Sequence, residues 1–266
     1  MHDVPAEAPD HTTCQRVGKN PCRAQSVTRG APKRQARKVI PWEAERAVAV
    51  HAALTARYRL VATLAAGLGW RQGEVFGLSL DDVGFLGGEV HLRRQVRLFA
   101  DGDMSFRLPK SKAERTVPLP GSVRDELAAN LVEHPARPVS LPWGTTDGDP
   151  VTHKLMVTTP DGKPLDRGNF NRKVWAPALK TAGVPAAREN GMHALRHFYA
   201  SVLLHAGEIK ALSEYLGHTE PGFTLRTYTH LMPSSGERAQ RASDAALCVP
   251  AVSTDRGADE SSQVSA

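Results

Sequence analysis

His193, Arg196 and His197 sit close together in HALRHFYAS (193–201), where Leu195, Phe198, Tyr199 and Val202 repeat at helical spacing. Helical geometry puts those four on one core-facing stripe and His193 with Arg196 on the opposite side, one turn apart. Taken alone, this is a solvated helix face. Four other features add reactive residue types. Arg71 is followed one turn later by Glu74 in GLGWRQGE (67–74), and Lys110 and Lys112 share the turn RLPKSKAERTVPL (107–119). His218 follows Gly217 in EYLGH (214–218), and Tyr228 stands in TLRTYTHL (224–231). Each has an ordinary explanation: a surface ion pair, a basic hairpin, a helix-capping histidine and a core tyrosine.

Together these types suit attack on a phosphodiester without a metal. The ester resists nucleophiles because its oxygens are negative and the pentacoordinate transition state gathers more charge. Two guanidiniums can grip the non-bridging oxygens with paired hydrogen bonds. A tyrosine is mostly protonated at neutral pH, with an ordinary pKa of about 10. Cationic neighbours are expected to lower that value and a histidine to take the proton. A lysine can protonate the leaving sugar oxygen.

The elements that would position these groups are mostly helical. Helices are expected at WEAERAVAVHAAL (42–54), with Pro41 in the first turn, at ARYRLVATLAAGL (56–68), and in a short turn at RQGEVFGLSLDDV (71–83). From Glu89 the pattern alternates, predicting three short antiparallel strands at GEVHLRRQVRLF, MSFRL and RTVPLP. SVRDELAANLVEH returns to helix. Residues 135–165, rich in Pro, Gly, Asp and Thr, read as loop with one strand at KLMVTT. Helices then resume at GNFNRKVWAPALKTAG, MHALRHFYASVLLHAG, IKALSEYLGH, FTLRTYTHLM and SGERAQRASDAAL. The expected fold is mainly α with a small three-stranded antiparallel sheet. Residues 39–247 form the domain, between a basic flexible arm at 1–38 and a disordered tail at 248–266.

Forty-one per cent of the 266 residues are hydrophobic, enough for a sizeable core. No run approaches the roughly 18–20 apolar residues of a membrane span, and the N-terminus lacks a signal-peptide core. Cys14, Cys22 and Cys248 form neither a disulfide framework nor a metal spacing. The net charge of +6 points to a polyanionic partner. The arm concentrates that charge: Arg16, Lys19, Arg23, Arg29, Lys33, Arg34, Arg37 and Lys38 stand without an acidic residue among them. It could follow a phosphate backbone or be a solvated linker.

The order Arg71, Lys110, His193-x-x-Arg196, His218, Tyr228 resembles the tyrosine recombinases, the phage-integrase family of site-specific recombinases. Over about residues 40–247 all six catalytic types are present in order. The resemblance implies the DNA breaking–rejoining fold of their catalytic domain. It also implies a strand transferase in which Tyr228 attacks the scissile phosphate, giving a 3′-phosphotyrosyl link and a free 5′-hydroxyl. A 5′-hydroxyl from a partner duplex then reverses the step, integrating or excising a mobile element. Arg71, Arg196 and His218 would hold the phosphate, His193 would be the acid–base partner, and Glu74 would support Arg71. Lys110 would protonate the leaving oxygen. Its distance to the VPL strand matches the family lysine better than that of its rival Lys112, which is taken as a DNA contact. No cofactor or metal is implied. The implied partners are double-stranded DNA, a homotetramer assembled on it through a C-terminal segment, and accessory DNA-bending or directionality factors. The implied location is the bacterial cytoplasm, on the nucleoid.

Two departures stand out. The residues before Pro41 are too few for the helical core-binding domain that usually precedes this one, and HAGEIKALSEYLGH is a residue short after AGE. A truncated, DNA-binding but recombination-inactive remnant is therefore the rival reading, and a type IB topoisomerase the nearest enzymatic one. A zinc pair at His193 and His197 fails because Ala194 stands where that motif needs Glu. Tyr58, Tyr199 and Tyr215 read as core, His197 as packing, and His230 as a stabiliser of the tyrosine segment.

Overall fold

The computed structural model describes residues 39–110, 113–217, 221–231 and 243. Lys112, His218, the basic arm, the tail and, apart from Ser243, the SGERAQRASDAAL helix lie outside the described residues.

The chain opens with α1 (Ala44–Ala53), α2 (Ala56–Leu68) and the short α3 (Gln72–Phe76). Pro41 lies ahead of α1 rather than in its first turn, because Glu43 is still extended (φ −71°, ψ 156°). Leu60, Val61, Leu64, Ala65 and Leu68 of α2 are all buried, as their spacing requires. Gly69 ends α2 in a left-handed conformation (φ 66°). A Cβ at that position would stand 2.3 Å from Tyr199 Cδ1 and 2.9 Å from Leu216 Cδ2. Both backbone and space therefore demand glycine. Gly69→Ala is expected to destabilise the fold by about 2–4 kcal/mol, from left-handed strain and overpacking together. A lowered midpoint in urea denaturation would report it.

A 3₁₀ turn (Leu80–Asp82) leads into β1 (Val83–Gly84), β2 (Glu89–Leu92), β3 (Gln95–Leu98), β4 (Met104–Arg107) and β5 (Arg115–Pro118). One three-stranded antiparallel sheet does form, in the order β1-β2-β5, with Val90 opposite Val117. The expected first strand is cut in two: β3 leaves the sheet and pairs with β4 as a separate hairpin, Val96 opposite Phe106. The break falls at Arg93 and Arg94. Arg94 turns inward and makes a two-pronged contact with buried Asp82, its Nη1 2.5 Å from Oδ2 and its Nη2 3.1 Å from Oδ1. Arg94 falls in phase with Val90 and Leu92, so a guanidinium lands on the buried face, and the backbone leaves the sheet where Arg94 meets Asp82 and the Gly77 carbonyl (3.3 Å).

After α4 (Gly121–Glu133) comes a hairpin the composition concealed, β6 (Arg137–Pro142) with β7 (Pro150–Leu155). Its prolines lie at Pro138, Pro142 and Pro150, and a two-stranded sheet tolerates them because each strand has an unpaired edge. Of the predicted KLMVTT strand only Lys154 and Leu155 are in β7; Met156, Val157, Thr158 and Thr159 lie beyond its end. The following helix has three parts: α5 (Arg167–Phe170), a π-helical turn (Asn171–Trp175) and α6 (Ala176–Thr181). Pro177 lacks the N–H that would bond back to residue 173, which explains the widened turn ahead of it.

A 3₁₀ turn (Arg188–Asn190) precedes α7 (His193–His205), α8 (Ile209–Leu216), α9 (Pro221–Tyr228) and a last 3₁₀ turn (Thr229–Leu231). Asn190 fixes the start of α7. Its side-chain oxygen accepts from Trp42 Nε1 at 3.0 Å, its carbonyl accepts from Trp175 Nε1 at 3.0 Å, and its amide donates to Pro185 O at 2.9 Å. The two indoles lie parallel, their ring centres 6.2 Å apart.

The main core runs from Trp42 through α2, the sheet and Trp175 to Leu195. A smaller core of Tyr199, Ala200, Leu204, Leu212, Leu216 and Tyr228 joins α7, α8 and α9, with Tyr215 packed on it. Val202, expected in the core stripe, is 49% exposed because the buried face of α7 shifts between these two cores. No described helix is long and apolar enough to cross a membrane.

Candidate active site

Arg71 stands at the N-terminus of α3, where its backbone N–H donates to Glu74 Oε2 (2.9 Å) and its Nη1 to Glu74 Oε1 (3.0 Å). A Cβ on Gly73 would stand 2.7 Å from the carbonyl of Val96. Glycine thus lets α3 lie tight on β3 and sets Arg71 beside that strand. Glu74 is fully buried rather than on the surface. A second arginine meets it, Arg115 at the head of β5, with Nη2 2.9 Å from Glu74 Oε2. Burial alone would raise the Glu74 carboxyl, but Arg115 foremost, then Arg71 and Arg196, hold it below its ordinary value. One carboxylate thus anchors two arginines.

Arg196 is 1% exposed, so the side of α7 that carries it is not a solvated face. Its Nη1 donates to Gly69 O (2.6 Å) and its Nη2 to Leu216 O (2.7 Å). Those carbonyls close α2 and α8, the negative ends of two helices, where a cation is favoured. Arg115 Nε adds a bond to Tyr215 O (2.7 Å), so the last turn of α8 is held by two arginines. Burial foremost, then Arg71, pushes Arg196 down to about 9, still cationic at neutral pH.

Tyr228 is 2% exposed and turned inward, its hydroxyl 2.8 Å from His197 Nδ1. This corrects the expectation that His197 only packs. Spaced i, i+4 on α7, His193 and His197 are neighbours, with ring centres 4.6 Å apart, edge to face. The Tyr228 hydroxyl also departs from expectation. Burial pushes it up, outweighing the downward pull of Arg196 and Arg71. Burial likewise pushes His197 down to about 4, assisted by Arg196. His193, at the exposed rim, is crowded on its inner side. That desolvation, then His197, Arg196 and Arg71, push it down to about 3. Both imidazoles are therefore neutral at pH 7.

Their depression has a sign for stability. Between pH 6.5 and about 4 the unfolded chain takes up protons that the folded chain refuses, so stability rises with pH there. The melting temperature is expected to be lower at pH 5 than at pH 7. Replacing His197 by Asn should shrink the difference.

Lys110 is exposed and reaches none of these groups, but it lines an open depression of about 500 Å3 with Arg71, Arg97, Arg107 and Trp143. Gln95 Nε2 donates to Leu108 O (2.8 Å), holding the strand that leads to Lys110. His230 Nε2 lies 2.6 Å from Val39 O, tying the tyrosine segment to the residue before Ile40.

The described residues thus bring Arg71, Glu74, His193, Arg196 and Tyr228 around one point, with Lys110 on an adjoining wall. Arg115 and His197 were missed, though both left signals. Arg115 lies two residues before buried Val117, on the same strand face, and His197 lies one helical turn after His193. Chemically, the point offers a phenol bonded to a neutral base and a pair of guanidiniums, a suitable cradle for an anionic tetrahedral group.

Residues 41–234 match the family described as the phage integrase family. The chain is 31% identical over 238 residues to a tyrosine recombinase XerC-like protein of Caldanaerobacter subterraneus subsp. tengcongensis, covering 84% of this chain and 59% of that one. To the tyrosine recombinase XerC of Mycobacterium bovis it is 30% identical over 185 residues, 67% of this chain and 51% of that one. It therefore spans between half and three-fifths of the length of these relatives. Among solved structures, the Tn1549 transposon integrase in complex with circular intermediate DNA superposes with a TM-score of 0.65 at 18% identity, over 85% of this chain and 73% of that one. The catalytic domain of bacteriophage HP1 integrase superposes at 0.51 with 19% identity, over 79% of this chain and 98% of that one. At these identities the structures testify to the fold.

Proposed function

Because the chain belongs to the phage integrase family, we propose that it is a site-specific DNA recombinase that cleaves and rejoins strands through Tyr228. The observation that carries the reading is the Tyr228 hydroxyl bonded to a neutral histidine within the field of Arg71 and Arg196. Tyr228 Oη attacks the scissile phosphorus as the bond to the 5′ oxygen breaks, leaving a 3′-phosphotyrosyl link and a free 5′-hydroxyl. Arg71 and Arg196 stabilise the charge that builds on the non-bridging oxygens, and removing one such donor typically lowers a rate by roughly 10²–10³. Glu74 supports Arg71, His193 assists proton movement at the rim, and Lys110 protonates the leaving oxygen. Resemblance assigns His218 to the phosphate and Lys112 to the DNA backbone, both outside the described residues. The covalent link preserves the energy of the broken ester, so the return step needs only a 5′-hydroxyl from a partner strand and no ATP.

Double-stranded DNA is the partner this reading requires, and the basic wall of Arg97, Arg107 and Lys110 beside Arg71 supports it. On the same reading, residues 39–247 are the catalytic domain, and residues 1–38 are a basic arm that follows the phosphate backbone. Four copies assemble on two duplexes, accessory DNA-bending or directionality factors bias the outcome, and the host is a mobile element.

The test is covalent trapping on duplexes nicked next to the scissile phosphate, taken from the ends of the host element. A protein–DNA band on a denaturing gel is the expected result. Duplex binding without a band would overturn the assignment of activity.

A further inference from the structure

We propose that His197, not His193, is the group that takes the proton from the Tyr228 hydroxyl as it attacks. This rests on the reading of Tyr228 as nucleophile. His197 Nδ1 is 2.8 Å from Tyr228 Oη, the only hydrogen-bond partner recorded for that hydroxyl among the described residues. His193 touches the pair only by the edge-to-face contact of its ring with His197. It stands at the exposed rim, whereas His197 is half-buried beside the phenol.

The groups facing His197 are Tyr228 from α9, with His193 and Arg196 from its own helix; Arg71 and Glu74 from α3 face His193 and Arg196 behind them. In the DNA-free protein this setting keeps His197 neutral, and in its Nε2–H tautomer Nδ1 offers the lone pair to which the tyrosine donates. The same setting opposes a proton on His197 until a counter-charge arrives. A phosphodiester between Arg71 and Arg196 supplies it, offsetting the guanidinium that weakens the imidazole. The base therefore strengthens when substrate is in place and stays idle otherwise. The balance is simple. The Tyr O–H proton moves to His197 Nδ1 as the Tyr O–P bond forms, the P–O5′ bond breaks, and the 5′ oxygen takes its proton from Lys110. In the return step His197 gives the proton back to the departing phenolate.

Asparagine distinguishes proton transfer from positioning, because its side-chain oxygen can reach the Nδ1 position and accept the tyrosine hydrogen bond without accepting the proton. Single-turnover cleavage of nicked duplexes is measured across pH for the wild type, His197→Asn and His197→Phe. The expected result is that both variants cleave about 10²–10³-fold more slowly at pH 7, within the range of general-base assistance. Their rates should climb about tenfold per pH unit, because phenolate must then form without help. A substrate with sulfur in place of the bridging 5′ oxygen needs no proton on its leaving group. It should leave both variants slow while restoring a Lys110→Ala variant. If His197→Asn cleaves at the wild-type rate with an unchanged pH profile, His197 is a positioning residue and the proposal falls while the tyrosine chemistry stands. Loss of rate in His193→Asn with the steep pH slope, and not in His197→Asn, also overturns it. If the wild type forms no covalent product, the functional reading itself fails, and this proposal with it.

Discussion

Tyr228→Phe is expected to abolish the DNA-linked product while leaving the fold and duplex binding in place. The phenol ring sits in the small core with Tyr199, Leu212 and Leu216, and phenylalanine fills the same volume. What disappears is one hydroxyl and its bond to His197, worth about 0.5–1.5 kcal/mol to stability. The effect on chemistry is of another order. With Tyr58, Tyr199 and Tyr215 all packed into the cores, nothing replaces the nucleophile. Covalent product should fall by at least roughly 10⁴-fold, below detection on a denaturing gel. Binding to intact duplex, followed by gel shift, should change less than about threefold, because the cations that meet phosphate are untouched. A persistent covalent band in the variant would reassign the nucleophile.

Glu74→Gln should produce the largest loss of stability of any single polar change in the described residues. Glu74 is wholly buried and receives Arg71 and Arg115, while Arg196 adds to the same field. Glutamine keeps the size but removes the charge, leaving buried Arg115 and Arg196 without the anion that balances them. Breaking a buried pair from one side costs about 3–5 kcal/mol. Because the folded carboxyl lies below its ordinary value, its contribution is complete above the unfolded pKa and is lost as pH falls through the folded one. The gap in denaturation midpoint between wild type and Glu74→Gln should thus be full at pH 7 and narrow in acid. Cleavage should fall as well, since Arg71 loses the partner that aims it. A variant as stable as the wild type at pH 7 would mean that Arg115 finds another anion.

The helices were legible because their apolar periods are long: α2 and α7 lie where the pattern puts them, and Gly69 marks the end of α2. The site residues were legible as types in order. Two kinds of information were not. The first is where an ion pair overrides a pattern. Arg94 reads as one more polar residue in an alternating run, yet it falls on the buried side with Val90 and Leu92, and its pairing with Asp82, twelve residues back, marks where the strand splits. The second is how charge and burial compete at one atom. Cations near Tyr228 suggested a more acidic phenol, but the second core buries its ring and burial wins. The β6–β7 hairpin was hidden by its own prolines, which the open edges of a two-stranded ribbon admit.

Arg196 ties α7 to the ends of α2 and α8 through the carbonyls of Gly69 and Leu216. A lineage that gave up recombination would still keep this arginine, because purifying selection on folding alone would remove its loss. Tyr228's hydroxyl enjoys no such protection: its loss leaves a phenylalanine that packs as well. In descendants of this chain, the tyrosine is therefore the sensitive witness to living chemistry, and the arginine testifies chiefly that the protein still folds.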